Sequence, residues 1–244
     1  MKILMAGATH KGRSRRTNQD SIFYDQLMGV GIVADGIGGR SGGEIASSMA
    51  VSQLKQIIQS TKIIRHEEIK PFLINAIDKA NLAIIARGEH EPEISGMGTT
   101  LNCLLFTNEN IYIAHIGDSR TYLYYEGNLW QVTLDHSVQV FLERGWLKSA
   151  NLTGDWKGGA LVRALGLNAQ CEVDVYHKSI RPGEIFITAS DGLFDMLKDH
   201  EIVHLLRHNA DDLHELPKIL IDAANRKGGK DNITVLISKV EEGP

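Results

Sequence analysis

Residues 30–39 read V-G-I-V-A-D-G-I-G-G, an apolar run that stops at Asp35 and passes into a glycine-rich turn. Short apolar runs that end in turn residues are typical of buried β-strands. Two later apolar runs end in the same way, at Asp118 and Asp191. Because a strand end holds its side chain in a fixed direction, the pattern predicts a β-rich fold that presents carboxylates at strand ends.

Two further aspartates complete a set of five. Asp20 closes the polar segment 13–20, and Asp231 precedes the apolar run 233–237. If the strands share a sheet, the five carboxylates meet in one cleft, where like charges raise each other's pKa unless a cation lies among them. A pair of divalent cations meets that requirement.

The residues around these aspartates indicate which cation is bound. They are Gly, Asn, Gln and Ser, with no Cys or His at ligand spacing, and oxygen ligands favour Mg²⁺, Mn²⁺ or Ca²⁺ over zinc. Mg²⁺ retains water, so a site with few direct carboxylates suits Mg²⁺ or Mn²⁺. Such a site predicts a hydrolase that activates a metal-bound nucleophile.

Eight short motifs follow one another along the chain. They are R-x-x-N-Q-D, D-G-x-G-G-x-x-x-G-E-x-A-S, G-T-T-L, G-D-S-R-x-Y, D-H-S, R-A-L-G, S-D-G-L-x-D and D-N-I-T. Each alone is a weak signal, because D-G and G-D pairs are common in turns. Together, in this order, they resemble the metal-dependent serine/threonine phosphatases of type 2C, and most closely the compact bacterial members.

Apolar periodicity predicts the secondary structure. Helices are expected over 45–58, 68–86, 201–208 and 217–226, and strands over 101–105, 111–116, 184–189 and 233–238. Pro71 is expected in the first turn of its helix, a hairpin around a Gly127–Asn128 turn, and a loop over about 136–159. This order predicts an α+β fold, and the resemblance implies two stacked antiparallel sheets with helices on both outer faces, an αββα sandwich.

Composition excludes several classes of protein. The 244 residues are 43% hydrophobic and 23% charged and contain no flexible linker, which predicts one domain over residues 1–244. The resemblance implies that this is a phosphatase domain. The net charge of −4, without a basic stripe, argues against a nucleic-acid partner, and no apolar stretch approaches the ~20 residues of a membrane span. Cys103 and Cys171 are expected to be reduced thiols. We expect a cytoplasmic monomer.

The resemblance implies a role for each acidic residue, carried over position by position. Asp35 would bridge two Mn²⁺ or Mg²⁺ ions, with the carbonyl of Gly36 as a further ligand. Asp191 and Asp231 would complete one ion site. Asp20 would hold waters on the other ion rather than bind it directly.

Two more residues have implied supporting roles. Asn232 would brace Asp231 by hydrogen bonding. Asp118, together with Asp191, would help to hold a weaker third ion; the alternative is that Asp118 caps a turn through its own backbone.

Arg15 is the predicted phosphate clamp, because a guanidinium binds two phosphate oxygens at once and stays charged. Its neighbour Arg16 points to the opposite side in extended backbone, and the R-x-x-N spacing to Asn18 selects Arg15. Arg40, where bacterial members commonly have His, would add positive charge at the cleft rim and contact substrate.

No side chain is predicted to act as the general acid. Ile37 stands where many eukaryotic members have a histidine, which implies a metal-bound water as the proton source. His115 interrupts an apolar strand and is expected to be a hydrogen-bonded core imidazole, and His136 is expected to organise the turn that contains it.

Residues 138–159 correspond to the mobile flap beside the active site of these phosphatases. The segment 149–159 departs from the usual bacterial sequence, is rich in glycine and contains Trp156. It is either a loop that simply varies or a contact for substrate or partner.

The predicted function is hydrolysis of phosphoserine and phosphothreonine in proteins by a water that bridges the two ions, opposing a serine/threonine protein kinase. Arg15, Asp20 and Asp35 would form the catalytic group. One alternative is an inactive phosphoprotein-binding module, although such a protein should lack metal carboxylates. The other is a general phosphatase or nuclease with the same ion pair; a nuclease would favour a basic groove with stacking aromatic residues.

Overall fold

The computed structural model describes residues 1–38, 42–61, 65–148, 160–209 and 212–243. The strands are β1 (Lys2–His10), β2 (Asp20–Asp25), β3 (Val30–Ile37), β4 (Gly98–Thr99), β5 (Leu101–Phe106), β6 (Asn110–Ile116), β7 (Arg120–Tyr125), β8 (Asn128–Gln131), β9 (Asp174–Ser179), β10 (Ile185–Ala189) and β11 (Ile233–Glu241). The helices are α1 (Gly42–Ser60), α2 (His66–His90), α3 (Val138–Glu143), α4 (Asp191–Phe194), α5 (Asp199–Asn209) and α6 (Leu216–Arg226), with a short 3₁₀ helix at Pro92–Ile94.

The strands form two antiparallel sheets. Sheet I has the order β1-β11-β10-β7-β8, and sheet II has the order β2-β3-β5-β6-β9, with the short β4 paired to β3. The first and last strands of the chain, β1 and β11, are direct neighbours over nine paired residues, from Lys2↔Glu241 to His10↔Ile233. Both sheets therefore draw strands from distant parts of the sequence.

Helices cover the outer face of each sheet. Helices α1 and α2 pack on sheet II, and α4 to α6 pack on sheet I. Between the sheets lies an apolar layer, the inter-sheet core, formed by Ile3, Met5, Leu104, Phe106, Ile111, Ile113, Ile180, Phe186 and Val240. The predicted α+β sandwich with outer helices on both sides is confirmed.

Helix α2 begins earlier than the periodicity predicts. The Glu68 carboxylate accepts a hydrogen bond from Arg65 N at 3.2 Å, and Glu68 N donates to Arg65 O at 2.9 Å, so the first turn starts at His66. Pro71 is consequently the sixth residue of the helix, and the prediction that it lies in the first turn is wrong.

The β7–β8 hairpin turns one residue before the predicted Gly-Asn pair. Tyr125 pairs with Asn128, so Glu126 and Gly127 are the central residues of the turn. Both have positive φ, 48° and 79°. Two left-handed central residues are the requirement of a type I′ turn, whose twist matches that of the flanking strands.

The predicted loop over 136–159 contains the helix α3, whose six residues are too few for an apolar pattern to stand out. Ser137 caps it by accepting a hydrogen bond from Val140 N at 3.4 Å. The flap residues 149–159, with Trp156, and the predicted substrate contact Arg40 lie outside the described residues. Within the part of the chain that the structure describes, no helix is long and apolar enough to cross a membrane.

Candidate metal and phosphate site

The five predicted aspartates come together at one edge of the sandwich, here called the carboxylate cleft. Asp20 and Asp35 are direct register partners across β2 and β3. Asp191 follows β10, and Asp231 precedes the neighbouring strand β11. Asp118 lies in the turn that leads from β6 in sheet II to β7 in sheet I.

Asp35 lies among the other four aspartates of the cleft. Burial, followed by repulsion from the other four aspartates of the cleft, raises the pKa of Asp35 well above its usual range. Its backbone is tightly held, because Asp35 N donates to Thr100 Oγ1 at 2.9 Å and Asp35 O accepts from Thr99 Oγ1 and Thr100 N, both at 2.8 Å.

Gly36 sits where no side chain fits. A Cβ atom at this position would lie 2.0 Å from the carbonyl oxygen of Gly43 and 2.7 Å from that of Gln19. Gly36 N also donates to Gln19 O at 3.1 Å. Only glycine allows the end of β3 to pack this closely on the start of α1 and on the segment before β2.

Asp20 is buried and receives hydrogen bonds on one side only. Ser190 Oγ donates to Asp20 Oδ2 at 2.8 Å and itself accepts from Thr234 N at 3.0 Å, whereas Asp20 Oδ1 is buried without a hydrogen-bond partner. Burial raises the pKa of Asp20 to about 6, although hydrogen bonds from Thr234 and Ser190 oppose the shift.

Asp191 also has a buried carboxylate oxygen, Oδ1, without a hydrogen-bond partner. Burial, then repulsion from Asp118 and Asp231, raises the pKa of Asp191 to about 7. Buried polar atoms are normally satisfied, so two unpaired carboxylate oxygens in one cleft need an explanation. A bound cation would supply the missing partner.

The donor set of the cleft is made of oxygen atoms, from carboxylates, hydroxyl groups and backbone carbonyls. Oxygen ligands suit hard divalent cations such as Mg²⁺ and Mn²⁺.

Arg15 lies at the cleft, paired with Asp231. Arg15 Nη2 donates to Asp231 Oδ2 at 2.6 Å, while about half of the arginine side chain, 53%, remains exposed. A guanidinium carries five N–H donors, so this contact leaves others available for an anion.

Asn232 contacts Asp231 with its backbone and three residues of the segment before β2 with its side chain. Its backbone N donates to Asp231 Oδ1 at 2.8 Å. Its side chain accepts from Gln19 N and donates to Lys11 O and Thr17 O, each at 2.9 Å. The side chain therefore anchors the loop that carries Arg15, while the hydrogen bond to Asp231 comes from the backbone.

Asp118 lies in a turn made possible by Gly117, whose φ is 105°. Burial, then repulsion from Asp135, raises the pKa of Asp118 to about 6, and a hydrogen bond from its own backbone opposes this shift. Arg120 donates to both carboxylate oxygens of Asp135, the shortest distance being 2.6 Å.

Both histidines near the cleft are engaged elsewhere. His115 is fully buried, with Nε2 donating to Leu134 O at 2.9 Å and Nδ1 2.6 Å from Asn102 Oδ1. Burial lowers its pKa to about 3. His136 accepts from Gly117 N at 3.2 Å, so it braces the turn that holds Asp118 rather than only the turn that contains His136 itself.

Sequence reasoning missed the hydroxyl groups of the cleft. Ser190 and Thr100 contact Asp20 and Asp35, and Ser119 contacts Thr100. A signal was present, because a hydroxyl residue directly adjoins two of the aspartates, in G-D-S-R and in S-D-G.

Residues 25–233 match the family described as Protein phosphatase 2C. The chain belongs to this family. It is 35% identical over 234 residues to the serine/threonine phosphatase stp of Listeria welshimeri, which covers 94% of this chain and 92% of that relative. The predicted enzyme class, a serine/threonine protein phosphatase of type 2C and hence a hydrolase, is confirmed.

Solved phosphatase structures share the fold. The serine/threonine phosphatase PstP/Ppp of Mycobacterium tuberculosis superposes with a TM-score of 0.87 at 30% identity, covering 99% of this chain and 100% of that one. A PstP catalytic domain in complex with two manganese ions has a TM-score of 0.86 at 30% identity, with 99% of each chain covered. Arg15 and Asp20 precede the segment of this 2C-type phosphatase that matches the family.

Proposed function

We propose that this phosphatase hydrolyses phosphoserine and phosphothreonine in proteins with two Mn²⁺ or Mg²⁺ ions at the carboxylate cleft, opposing a serine/threonine protein kinase. The observation that carries the proposal is the convergence of five carboxylates, two of which have buried oxygens without a partner. The two manganese ions bound by the PstP catalytic domain support it. The continuous pairing of β1 with β11 supports a single domain over the whole chain.

Asp35 would hold both ions, and the carbonyl of Gly36 would be a further ligand. Asp191 and Asp231 would complete one of the two sites, and Asp20 would act on the other through water. Asp118, with Asp191, would hold a weaker third ion. When bound, such ions supply an activated water nucleophile and neutralise charge on the phosphoryl group.

Arg15 would bind and orient the phosphate. Its pairing with Asp231 holds the guanidinium at the cleft, and its remaining N–H donors match the oxygens of a phosphate monoester. Arg40 is proposed as a further substrate contact at the rim.

Ser190 would orient Asp20. Its hydroxyl donates to one carboxylate oxygen of Asp20 and is itself fixed by the Thr234 amide. The other oxygen of Asp20 thereby stays turned toward the cleft, where it can hold water in a fixed position.

The proton for the leaving seryl oxygen would come from water. Ile37 has no titratable group, and the ring nitrogens of His115 and His136 are occupied by contacts within the protein. A seryl oxygen is a poor leaving group, so this proton matters more for phosphopeptides than for aryl phosphates.

The proposal is tested by assaying the purified chain on a phosphopeptide and on single-stranded nucleic acid, with Mn²⁺ and with EDTA. We expect Mn²⁺-dependent release of phosphate from the peptide and no cleavage of nucleic acid. Because a hydrogen bond to a charged group contributes about 1.5–3 kcal/mol, Arg15→Ala should raise KM for the phosphopeptide about 10-fold or more.

Arg16→Ala is the matched control, since it removes the same charge one position along, and it should leave KM nearly unchanged. Nucleic-acid cleavage without phosphopeptide hydrolysis would overturn the proposed substrate. A larger effect of Arg16→Ala than of Arg15→Ala would show that the other arginine contacts phosphate.

A further inference from the structure

Thr100 connects two parts of the carboxylate cleft that belong to different strands. It lies between β4 and β5 and is 1% exposed. Toward β3 it makes two hydrogen bonds with the backbone of one residue: Thr100 N donates to Asp35 O at 2.8 Å, and Thr100 Oγ1 accepts from Asp35 N at 2.9 Å. The position of Asp35 is thus tied to Thr100.

On its other side, Thr100 contacts both neighbours of Asp118. Its Oγ1 lies 2.7 Å from Ser119 Oγ, within a hydrogen bond. A Cβ atom on Gly117 would lie 2.6 Å from both Cβ and Cγ2 of Thr100, so the methyl side of Thr100 packs directly on the Gly117 backbone.

Other contacts restrain the same turn without reaching Asp35. Asn102 Nδ2 donates to Ser119 O at 2.8 Å, and His136 N donates to Gly117 O at 2.8 Å. These bonds hold the turn against β5 and against the segment before α3. Among these described contacts, those of Thr100 carry the link across the cleft.

We infer that Thr100 is a positioning residue, which sets the spacing between Asp35 and Asp118 through its hydrogen bond to Ser119. The inference rests on the proposed function, because it takes both aspartates to hold divalent cations. Mg²⁺ demands near-ideal octahedral geometry at about 2.0–2.1 Å, so a small change in ligand spacing weakens binding. A short buried hydroxyl–hydroxyl hydrogen bond fixes such a spacing narrowly.

Three substitutions separate the parts of this link. Thr100→Val keeps the branched shape and loses the hydroxyl, Thr100→Ser keeps the hydroxyl and loses the methyl group, and Ser119→Ala removes only the partner. Thr188→Val is the matched control, because Thr188 Oγ1 forms a comparable buried bond, 2.9 Å from Thr121 Oγ1 in sheet I.

Three quantities are measured for each variant. They are Mn²⁺ binding, monitored through the electron paramagnetic resonance signal of free Mn²⁺, the Mn²⁺ dependence of phosphopeptide hydrolysis, and the melting temperature in EDTA. Loss of a group that orients a metal ligand typically costs 10–100-fold in affinity. We therefore expect Ser119→Ala and Thr100→Val to raise the dissociation constant of the most weakly bound Mn²⁺ ion about 10-fold. Thr100→Ser should give a smaller shift, and Thr188→Val should lower only the melting temperature.

Two results would overturn the inference: an unchanged Mn²⁺ titration for Ser119→Ala, or an equal shift for Thr188→Val. If Thr100→Val does not fold, Ser119→Ala decides alone, since it keeps both bonds between Thr100 and Asp35. Failure of the proposed function has a different signature, namely wild-type protein that shows no Mn²⁺-dependent phosphopeptide hydrolysis.

Discussion

The space between the two sheets has two chemically opposite parts. In the inter-sheet core, Phe186 of sheet I packs edge-to-face on Phe106 of sheet II, with ring centroids 5.7 Å apart. At the carboxylate cleft the same two sheets bring together Asp20 and Asp191, each with a buried oxygen that lacks a partner. Strands β10 and β11 contribute to both parts, with Phe186 and Val240 in the core and Asp191 and Asp231 next to their ends at the cleft.

The two parts make opposite contributions to stability. A fully buried Phe side chain contributes about 1.5–3 kcal/mol, whereas a buried carboxylate without a partner lowers stability. The inter-sheet core and the outer helical layers therefore hold the carboxylates together against their repulsion. If this is correct, the two parts can be altered separately, and substitutions in them should affect different measurements.

The largest expected effect on stability is at the apolar part. Phe186 is 0% exposed, so Phe186→Ala should lower the free energy of unfolding by about 3–5 kcal/mol, measured by urea denaturation in EDTA. Leu27→Ala is the control, because Leu27 is 94% exposed and its loss should be nearly neutral. A specific loss of Mn²⁺ affinity in the folded fraction of Phe186→Ala would mean that the two parts are not separable.

At the carboxylate cleft the expected effect is on activity. Asp35→Asn and Asp191→Asn should each reduce Mn²⁺-dependent phosphopeptide turnover by at least ~10²-fold, because each removes a charge that stabilises the transition state. Both variants should fold, and in EDTA both should be at least as stable as the wild type, since a repelling charge is gone. Near-normal turnover in either variant would remove that residue from the proposed site. Asp222→Asn, at an exposed position of α6, serves as the control.

A smaller effect is expected in the pH dependence of the metal-free protein. The folded pKa values of Asp20 and Asp191, about 6 and about 7, lie above the ~3.9 of an unfolded aspartate. Between about pH 4 and 7 the folded state thus binds more protons than the unfolded state, so these two groups lower stability as pH rises.

This contribution is isolated by comparing the wild type with the double variant Asp20→Asn, Asp191→Asn in EDTA. Urea denaturation from pH 5 to pH 8 should show a steeper loss of stability in the wild type. Parallel pH profiles for the two proteins would contradict the raised pKa values and, with them, the electrostatic cost of the cleft.

The chain's local patterns predicted a large part of this architecture. Apolar runs ending in aspartate located the strand ends around Asp35, Asp118 and Asp191, and helical periodicity located four of the six α-helices found in the described residues. Strand β9, at the edge of sheet II, was not predicted, because its residues D-V-Y-H-K-S have no buried face that would give an apolar pattern. The start of the helix that contains Pro71 and the position of the Glu126–Gly127 turn differ from the prediction, because element boundaries depend on hydrogen bonds that periodicity does not report.

The sequence by itself determined the enzyme family, the fold class and the set of acidic residues, because each depends on short motifs or on local periodicity. Only the tertiary structure decided how those residues are satisfied. Ser190 donates to Asp20 across 170 positions of sequence, and Arg15 pairs with Asp231 across 216. Ser190 and Asp20 meet because the two sheets pack face to face, and Arg15 and Asp231 meet because β1 pairs with β11 in sheet I, so no local pattern in the chain encodes these contacts.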